Sequence, residues 1–142
     1  MRIFLLLDPP RATAQMQKIT VVHGKPRMYK PANVRKARET LLTHLRPFKP
    51  SNPIAGPIEL HVTWRFPKGN KHKHNEWKTT KPDTDNLQKM LKDCMTEVSF
   101  WHDDAQVVVE HVEKVWSDEP CGISITYEKL TNKCKEVPTN DC

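Results

Sequence analysis

The sequence predicts a single α+β domain in which a mixed sheet of about five strands carries two packed helices. Residues 58–66 alternate between apolar and polar side chains, as a half-buried strand does. Residues 85–98 instead place their apolar side chains on one face at helical spacing. The 142 residues suffice for one domain with a modest core. We expect this domain to span residues 1–130 and a flexible polar tail to follow over residues 131–142.

The first half of the chain is predicted to form two strands and one helix. Residues 2–7 and 17–22 have strand-like composition and are separated by two consecutive prolines, which interrupt regular structure. Residues 24–30 are basic and are interpreted as a loop. A helix is expected to begin at Pro31, because proline suits the first helical position, and to end near Leu45.

The second half is predicted to contain three further strands and the second helix. Residues 67–80, which follow the strand at 58–66, are polar and basic and are interpreted as a loop. After the helix, an apolar segment opens a strand over residues 107–116, and alternation over residues 123–127 indicates the last strand. The order ββ-α-β-α-ββ favours a mixed sheet with both helices packed against it.

The charge balance favours a polyanionic partner without proving one. Lysine and arginine total 23 against 17 acidic residues, which gives a net charge of +6 and a pI near 9.2. The apolar run near the N-terminus is too short for a signal-peptide core or a membrane span, so we expect a cytoplasmic protein without a membrane partner. The four cysteines form no zinc-like pair.

Acidic residues around the second helix are the strongest functional signal. Asp83 and Asp85 lie two residues apart at its start, and Asp103 and Asp104 precede the next predicted strand. Lys89 follows Asp85 by four residues, so it projects over the same helix face. Carboxylates gathered at one point repel one another unless a cation is present. Ligands that are all oxygen suit Mg²⁺ or Mn²⁺ rather than zinc.

A structural interpretation of the same residues is also available. Asp85 is a plausible helix N-cap, and Gln88 would complete a capping box. Asp83 would then only favour the positive end of the helix dipole. In the functional interpretation, an extended segment directs Asp83 and Asp85 to the same side. Lys89 and the second acidic pair favour the functional interpretation, in which Asp85 can still cap the helix.

The stretch from Lys81 to about Lys114 resembles the signature of the RusA family of Holliday-junction resolvases. That signature has an Asp-x-Asp-Asn pair, a helix bearing lysine and aspartate, and Asp-Asp-x-Gln-Val before a strand. Here it is formed by Asp83-Thr84-Asp85-Asn86, Lys89, Asp93 and Asp103-Asp104-Ala105-Gln106-Val107. The resemblance reaches to about Tyr127, is most specific in the second half, and implies a RusA-like fold.

The resemblance implies a homodimeric endodeoxyribonuclease that needs Mg²⁺, with Mn²⁺ as a possible substitute. It would resolve four-way DNA junctions by paired nicks in recombination and repair. Asp83, Asp85 and Asp104 match the metal-binding aspartates, and Asp103 matches the adjacent acid, so all four are expected metal ligands. Lys89 matches a lysine important for cleavage. The expected catalytic set is therefore Asp83, Asp85, Asp104 and Lys89.

Several basic and aromatic residues are candidates for contacts with DNA. His72 and His74 more simply face water or phosphate than bind a metal, and Trp101 is expected to pack in the core rather than to stack on DNA. The basic residues predicted to contact DNA phosphates are Lys25, Arg27, Lys30, Arg35, Lys71 and Lys73.

Three functions remain open at this point. The first is a junction resolvase, the second is a non-catalytic branched-DNA-binding recombination protein, and the third is a metal-dependent nuclease acting on flaps or single strands. The intact acidic set argues against the second, because a pure binder has no need of negative charge facing DNA. Analogy between folds does not separate the first from the third.

Overall fold

The computed structural model of this chain describes residues 1–13, 18–29 and 32–131. Single 3₁₀ turns follow the first helix and precede the fifth strand, at Arg46–Phe48 and Asp104–Gln106. The elements, in chain order, are β1 (Arg2–Leu6), β2 (Lys18–Val22), β3 (Lys25–Tyr29), α1 (Ala32–Leu45), β4 (Ile58–Pro67), α2 (Thr84–Glu97), β5 (Val107–Ser117) and β6 (Gly122–Lys129).

A four-stranded mixed sheet forms the framework, in the order β1-β6-β4-β5. The β1–β6 and β6–β4 pairs are antiparallel, whereas β4 and β5 are parallel, with Val62 opposite Val112. Parallel neighbours need a crossover connection, and α2 provides it. The α+β class with one mixed sheet and two helices is therefore confirmed, and the main sheet has four strands rather than about five.

The main sheet has one strand fewer than expected because β2 pairs with the segment interpreted as a basic loop and not with the main sheet. Residues 25–29 form β3, which pairs with β2 in a separate antiparallel hairpin. The two turn residues, His23 and Gly24, have φ of 52° and 76°. Two successive positive φ values suit the tight hairpin turn that follows the twist of its strands. His-Gly is a weaker sequence signal for this turn than Asn-Gly, and Pro26 disfavours a strand, so the hairpin was not predicted.

The core lies on one face of the sheet. The alternation predicted for β4 is confirmed, because Ile58, Leu60, Val62, Trp64 and Phe66 are all at most 3% exposed. The buried apolar side chains contributed by the helices are Val34, Leu41, Leu42 and Leu45 from α1 and Leu87, Met90, Leu91, Cys94 and Met95 from α2.

Trp101 also belongs to the core. Its side chain is 1% exposed, and its Nε1 donates a hydrogen bond to Thr96 Oγ1 over 2.7 Å. The expectation that it packs rather than stacks on DNA is confirmed, because a buried indole whose N–H is already paired presents no face to a ligand.

The last part of the predicted loop at 67–80 runs along the free edge of β5. We call residues 75–82 the approach segment, since it leads into α2. Its Asn75 N and Glu76 O bond to the backbone of Trp116 over 2.8 Å each, and Lys78 N donates to Lys114 O over 3.0 Å. This pairing covers an edge that would otherwise expose unpaired backbone groups.

Some expectations fall on parts of the chain that the structure does not describe. Pro31, the expected first residue of α1, lies outside the described residues, and the described helix begins at Ala32. The expected tail lies almost wholly outside them, so its boundary at residue 130 stays a prediction. Within the described ranges, no helix has the length and apolar character needed to cross a membrane.

Candidate functional site

A pocket of about 470 Å³ lies between α2 and β5. Four carboxylates and two lysines line it. The lining residues are Thr84, Asp85, Gln88, Lys89, Lys92 and Asp93 from α2, Asp104 from the 3₁₀ turn, and Glu110 and Val112 from β5. Of the sequence-predicted site residues, the pocket thus brings together Asp85, Lys89 and Asp104.

The start of α2 differs from the expected one. Asp83, not Asp85, is the N-cap, with extended backbone at φ −74° and ψ 151°, and its carboxylate makes no cap hydrogen bond. The prediction that Asp85 caps the helix was therefore wrong. Because helical backbone begins at Thr84, Asp83 and Asp85 do not share an extended segment, and Asp85 lies in the first turn. Both carboxylates remain at the helix end that attracts negative charge.

Gln88 connects the pocket to the core instead of completing a capping box. It is 3% exposed, and its Oε1 accepts a hydrogen bond from Trp64 Nε1 over 2.7 Å. Its Nε2 donates to Glu110 Oε2 over 2.7 Å, and Lys92 Nζ lies 3.1 Å from Glu110 Oε1. One carboxylate of β5 thus joins two side chains of α2, and this fixes the helix against the sheet.

Three further residues line this pocket that were not predicted as parts of the site: Glu110, Gln88 and Lys92. No local sequence signal marks Glu110, because its orientation follows from its pairing with the buried Leu60 in the parallel register of β4 and β5. Paired residues on neighbouring strands point to the same face of a sheet. A charged residue in register with a core position therefore faces the helices, where it needs polar partners.

The turn that carries Asp104 is held by its neighbours. Asp103 Oδ1 accepts a hydrogen bond from Ala105 N over 2.9 Å. Gln106 Oε1 accepts from the backbone of His102 and Asp103, and its Nε2 donates to two carbonyls in the 54–56 loop. Asp103 and Gln106 therefore form a capping box, and they anchor the turn so that Asp104 faces the pocket.

The pKa of Asp104 reflects the electrostatics of the pocket. Burial raises the pKa of its carboxyl group, and repulsion from Asp93 and then Asp103 adds to that rise. Lys92 opposes the rise but does not cancel it. Negative charge is therefore crowded at this end of the pocket, and a further cation would be stabilised there.

The donor chemistry of the site fits a hard divalent cation. Asp85, Asp93, Asp104 and Glu110 offer carboxylate oxygens, which suit Mg²⁺ or Mn²⁺. In residues 1–13, 18–29 and 32–131, however, no group of three or more His, Cys, Asp or Glu side chains is arranged to hold a metal ion. The expected ligands Asp83, Asp85, Asp103 and Asp104 are thus not assembled into one set. Binding an ion would require their side chains to move together.

Two lysines hold the approach segment beside this pocket. Lys78 is 7% exposed, and its Nζ donates to Lys81 O and Thr80 Oγ1 over 2.6 Å each. Burial, followed by repulsion from Lys114 and Arg11, lowers the pKa of Lys78. Lys114 Nζ donates to Thr80 O and Pro82 O over 2.7 Å each.

The residues predicted to contact DNA lie in several places. Lys25, Arg35, Lys71 and Lys73 are exposed. Lys30 and the side chain of Arg27 lie outside the described part of the chain, although the backbone of Arg27 belongs to β3.

The two loop histidines have structural partners. His72 stacks on Trp116, with ring centroids 4.1 Å apart, and its Nδ1 lies 2.6 Å from Glu76 Oε2. That hydrogen bond is the main reason why the pKa of Glu76 is lowered. His74 Nδ1 accepts from Asp118 N over 3.0 Å. These contacts involve one ring nitrogen of each histidine, and the expectation that neither histidine is a metal ligand stays a prediction.

Comparison with known proteins gives a consistent result. The model of a family described as Endodeoxyribonuclease RusA matches residues 9–128. A Lactococcus phage r1t protein named crossover junction endodeoxyribonuclease is 34% identical over 84% of this chain and 90% of its own length. An uncharacterized Bacillus subtilis protein, YqaN, is 30% identical over 71% of this chain and 78% of its own. The Escherichia coli K12 crossover junction endodeoxyribonuclease RusA is 29% identical over 56% of this chain and 58% of its own.

Proposed function

The chain belongs to the RusA family of endodeoxyribonucleases, and from that premise we propose that it resolves four-way DNA junctions by Mg²⁺-dependent cleavage of paired phosphodiester bonds. The observation that carries this proposal is the acidic pocket between α2 and β5, which lies inside the matched region and combines carboxylates with two lysines. The names of the phage and Escherichia coli relatives support the junction as substrate. We further propose a role in recombination and repair.

The aspartates would hold the metal in this proposal. Asp85 lines the pocket from α2 and Asp104 from the 3₁₀ turn, and Asp83 and Asp103 lie within two residues of them in the chain. When bound there, Mg²⁺ (or Mn²⁺ in its place) would supply positive charge at the scissile phosphate and acidify a water molecule. Asp104 is suited to this role because burial, followed by repulsion from Asp93 and Asp103, raises the pKa of its carboxyl group, and a nearby cation relieves that penalty.

Lys89 is the proposed cation for the reacting phosphate. Its side chain is exposed on the pocket wall, one turn after Asp85. From there its ammonium group can stabilise negative charge that develops on the phosphate oxygens during hydrolysis. Lys92 has a different role, since Glu110 neutralises it and holds it on the sheet.

Basic side chains would hold the DNA, and the two-fold symmetry of a homodimer would match that of the junction. Lys25, Arg27, Lys30, Arg35, Lys71 and Lys73 are the proposed phosphate contacts, consistent with the net charge of +6. A homodimer would present two acidic pockets to a junction that is itself roughly two-fold symmetric, so each subunit would cut one strand.

The test compares substrates and metals in one assay. A mobile four-way junction, a flap and a linear duplex are incubated with the protein in Mg²⁺ and, separately, in Ca²⁺. The proposal predicts symmetrical nicks in the junction alone, and only with Mg²⁺. Preferred cutting of the flap or of single strands would instead identify the metal-dependent nuclease without junction specificity. Tight junction binding without cutting in either metal would identify the non-catalytic binder.

A further inference from the structure

We propose that Lys114, together with Lys78, is a positioning residue. The two lysines set the point at which the approach segment enters α2, and this determines the positions of the carboxylates of Asp83 and Asp85. This inference rests on the proposed function, because it assigns a role in placing the metal-binding carboxylates. Neither lysine belongs to the acidic and basic residues that the sequence pattern singled out.

Lys114 is placed next to the pocket by the pleat of β5. Glu110 and Val112 line the pocket, and Lys114 is the next residue on the same strand face. Its Nζ donates to Thr80 O and Pro82 O over 2.7 Å each. Pro82 immediately precedes Asp83, the N-cap of α2. The side chain of Lys114 therefore binds the backbone one residue before the helix cap.

Lys78 holds the same few residues from within the segment. It is 7% exposed, and its Nζ lies 4.4 Å from the ring centre of Trp116 and 5.0 Å from that of Phe66. Its hydrogen bonds to Thr80 Oγ1 and Lys81 O fold residues 78–81 over the ammonium group. A buried ammonium group is costly unless its protons are all used, and here oxygen atoms and aromatic rings surround it.

Both ammonium groups donate hydrogen bonds to backbone carbonyl oxygens rather than to a carboxylate. Across the ranges that the structure describes, the ion pairs include neither Lys78 nor Lys114. A lysine that only added surface charge would face water or an acid. The last backbone hydrogen bond between the approach segment and β5 is made by Lys78 N. Beyond that point, the two ammonium groups hold residues 80–82 by hydrogen bonds to their carbonyl oxygens.

The position of Asp83 therefore depends on these contacts. The Asp83 carboxylate makes no cap hydrogen bond, so its own side chain does not fix it. Supporting residues that orient metal ligands typically change metal affinity by about 10- to 100-fold when they are removed. Displacement of about 1 Å at a reacting centre can also cost about 100-fold in rate.

The experiment measures metal binding without DNA and then cleavage. Mn²⁺ binding to the full chain is followed by electron paramagnetic resonance for the wild-type protein, Lys114→Met, Lys114→Arg and Lys78→Met. Lys49→Met, which changes an exposed lysine just after α1, serves as the control. Junction binding in Ca²⁺ and thermal unfolding are recorded for each variant.

We expect Lys114→Met to weaken Mn²⁺ binding about tenfold or more, with junction binding unchanged and cleavage restored in part by excess Mn²⁺. Lys114→Arg should recover part of the Mn²⁺ affinity, because it keeps a donor at that place. Wild-type Mn²⁺ affinity in Lys114→Met, or a loss confined to junction binding, would overturn the inference. If Lys114→Met does not fold, wild-type affinity in Lys78→Met would overturn it. Failure of the wild-type protein itself to bind Mn²⁺ would instead reject the proposed function.

Discussion

Gln88 Nε2 donates a hydrogen bond to Glu110 Oε2 over 2.7 Å, and this contact joins the two walls of the acidic pocket. The same amide accepts from the indole of Trp64, which is fully buried. The pocket is therefore built on the core, since its helix wall and its strand wall share one buried amide.

Replacing Gln88 should destabilise the fold. Gln88→Met keeps the size of the side chain but leaves Trp64 Nε1 without its acceptor and removes one of the two partners of Glu110, which keeps Lys92. Removing one partner of a buried hydrogen bond costs about 1–3 kcal/mol. Urea unfolding should show a loss of that size. The control, Glu97→Gln, alters a surface ion pair with Arg38 and should cost less than about 1 kcal/mol. Equal losses in the two variants would contradict this account of the pocket.

Asp104→Asn should stabilise the metal-free protein near neutral pH. The pKa of Asp104 is raised in the folded state, so between its ordinary pKa and the raised one the folded protein binds more protons than the unfolded chain. The free energy of unfolding therefore falls as the pH rises through that window, and the penalty persists above it. We expect Tm to rise by about 1–3 °C at neutral pH and not at a pH below the window, by calorimetry.

Asp103→Ala provides the contrast. Asp103 caps the turn through Ala105 N, and loss of such a cap costs about 0.5–2 kcal/mol. Two neighbouring aspartates should thus shift Tm in opposite directions. A fall in Tm for Asp104→Asn would show that burial and like-charge repulsion do not destabilise the ionised carboxyl group of Asp104 in the folded protein.

Lys89→Met should slow cleavage without weakening junction binding. Removing one group that stabilises charge in a transition state typically costs about 10²–10³ in rate. Single-turnover cleavage of a junction in Mg²⁺ measures the rate, and a gel shift in Ca²⁺ measures affinity. Lys49→Met is the matched control. Weaker binding in proportion to the rate would indicate that Lys89 holds DNA rather than the reacting phosphate.

Lys71→Ala and Lys73→Ala should each lower the salt dependence of junction binding. If each lysine contacts one phosphate, the slope of log K against log [salt] should fall by about one in each variant. Fluorescence anisotropy over a range of NaCl concentrations gives the slope. An unchanged slope would place that lysine on a solvated surface that does not touch DNA.

The parts of the fold that were predicted correctly from the sequence are those in which apolar residues recur at a regular spacing. The alternation over 58–66 and the helical spacing over 85–98 correspond to β4 and α2, because each buries one face against the core. The hairpin was missed because His23-Gly24 adopts a turn geometry that its residue types only weakly encode. The helix cap was misplaced by two residues, since Asp83 and Asp85 are equally suited to that position.

The site was predictable only in part for a related reason. Asp85, Lys89 and Asp104 follow from local spacing, and the structure places all three around one pocket. The parallel pairing of β4 with β5 places Glu110 in the pocket wall and Lys114 next to the pocket, and no local pattern reveals this pairing. Lys78 lies in the segment interpreted as a polar and basic loop, yet tertiary contacts bury it.

The central claim is that the acidic pocket is the site of Mg²⁺-dependent junction cleavage, and Asp85→Asn tests it most directly. The measurement is the single-turnover rate of paired nicking of a mobile four-way junction in Mg²⁺, by the wild-type protein and by this variant. We predict symmetrical nicks by the wild-type protein and a rate lower by about 10³-fold or more in the variant, with junction binding in Ca²⁺ retained. Cleavage by Asp85→Asn at the wild-type rate would contradict the account.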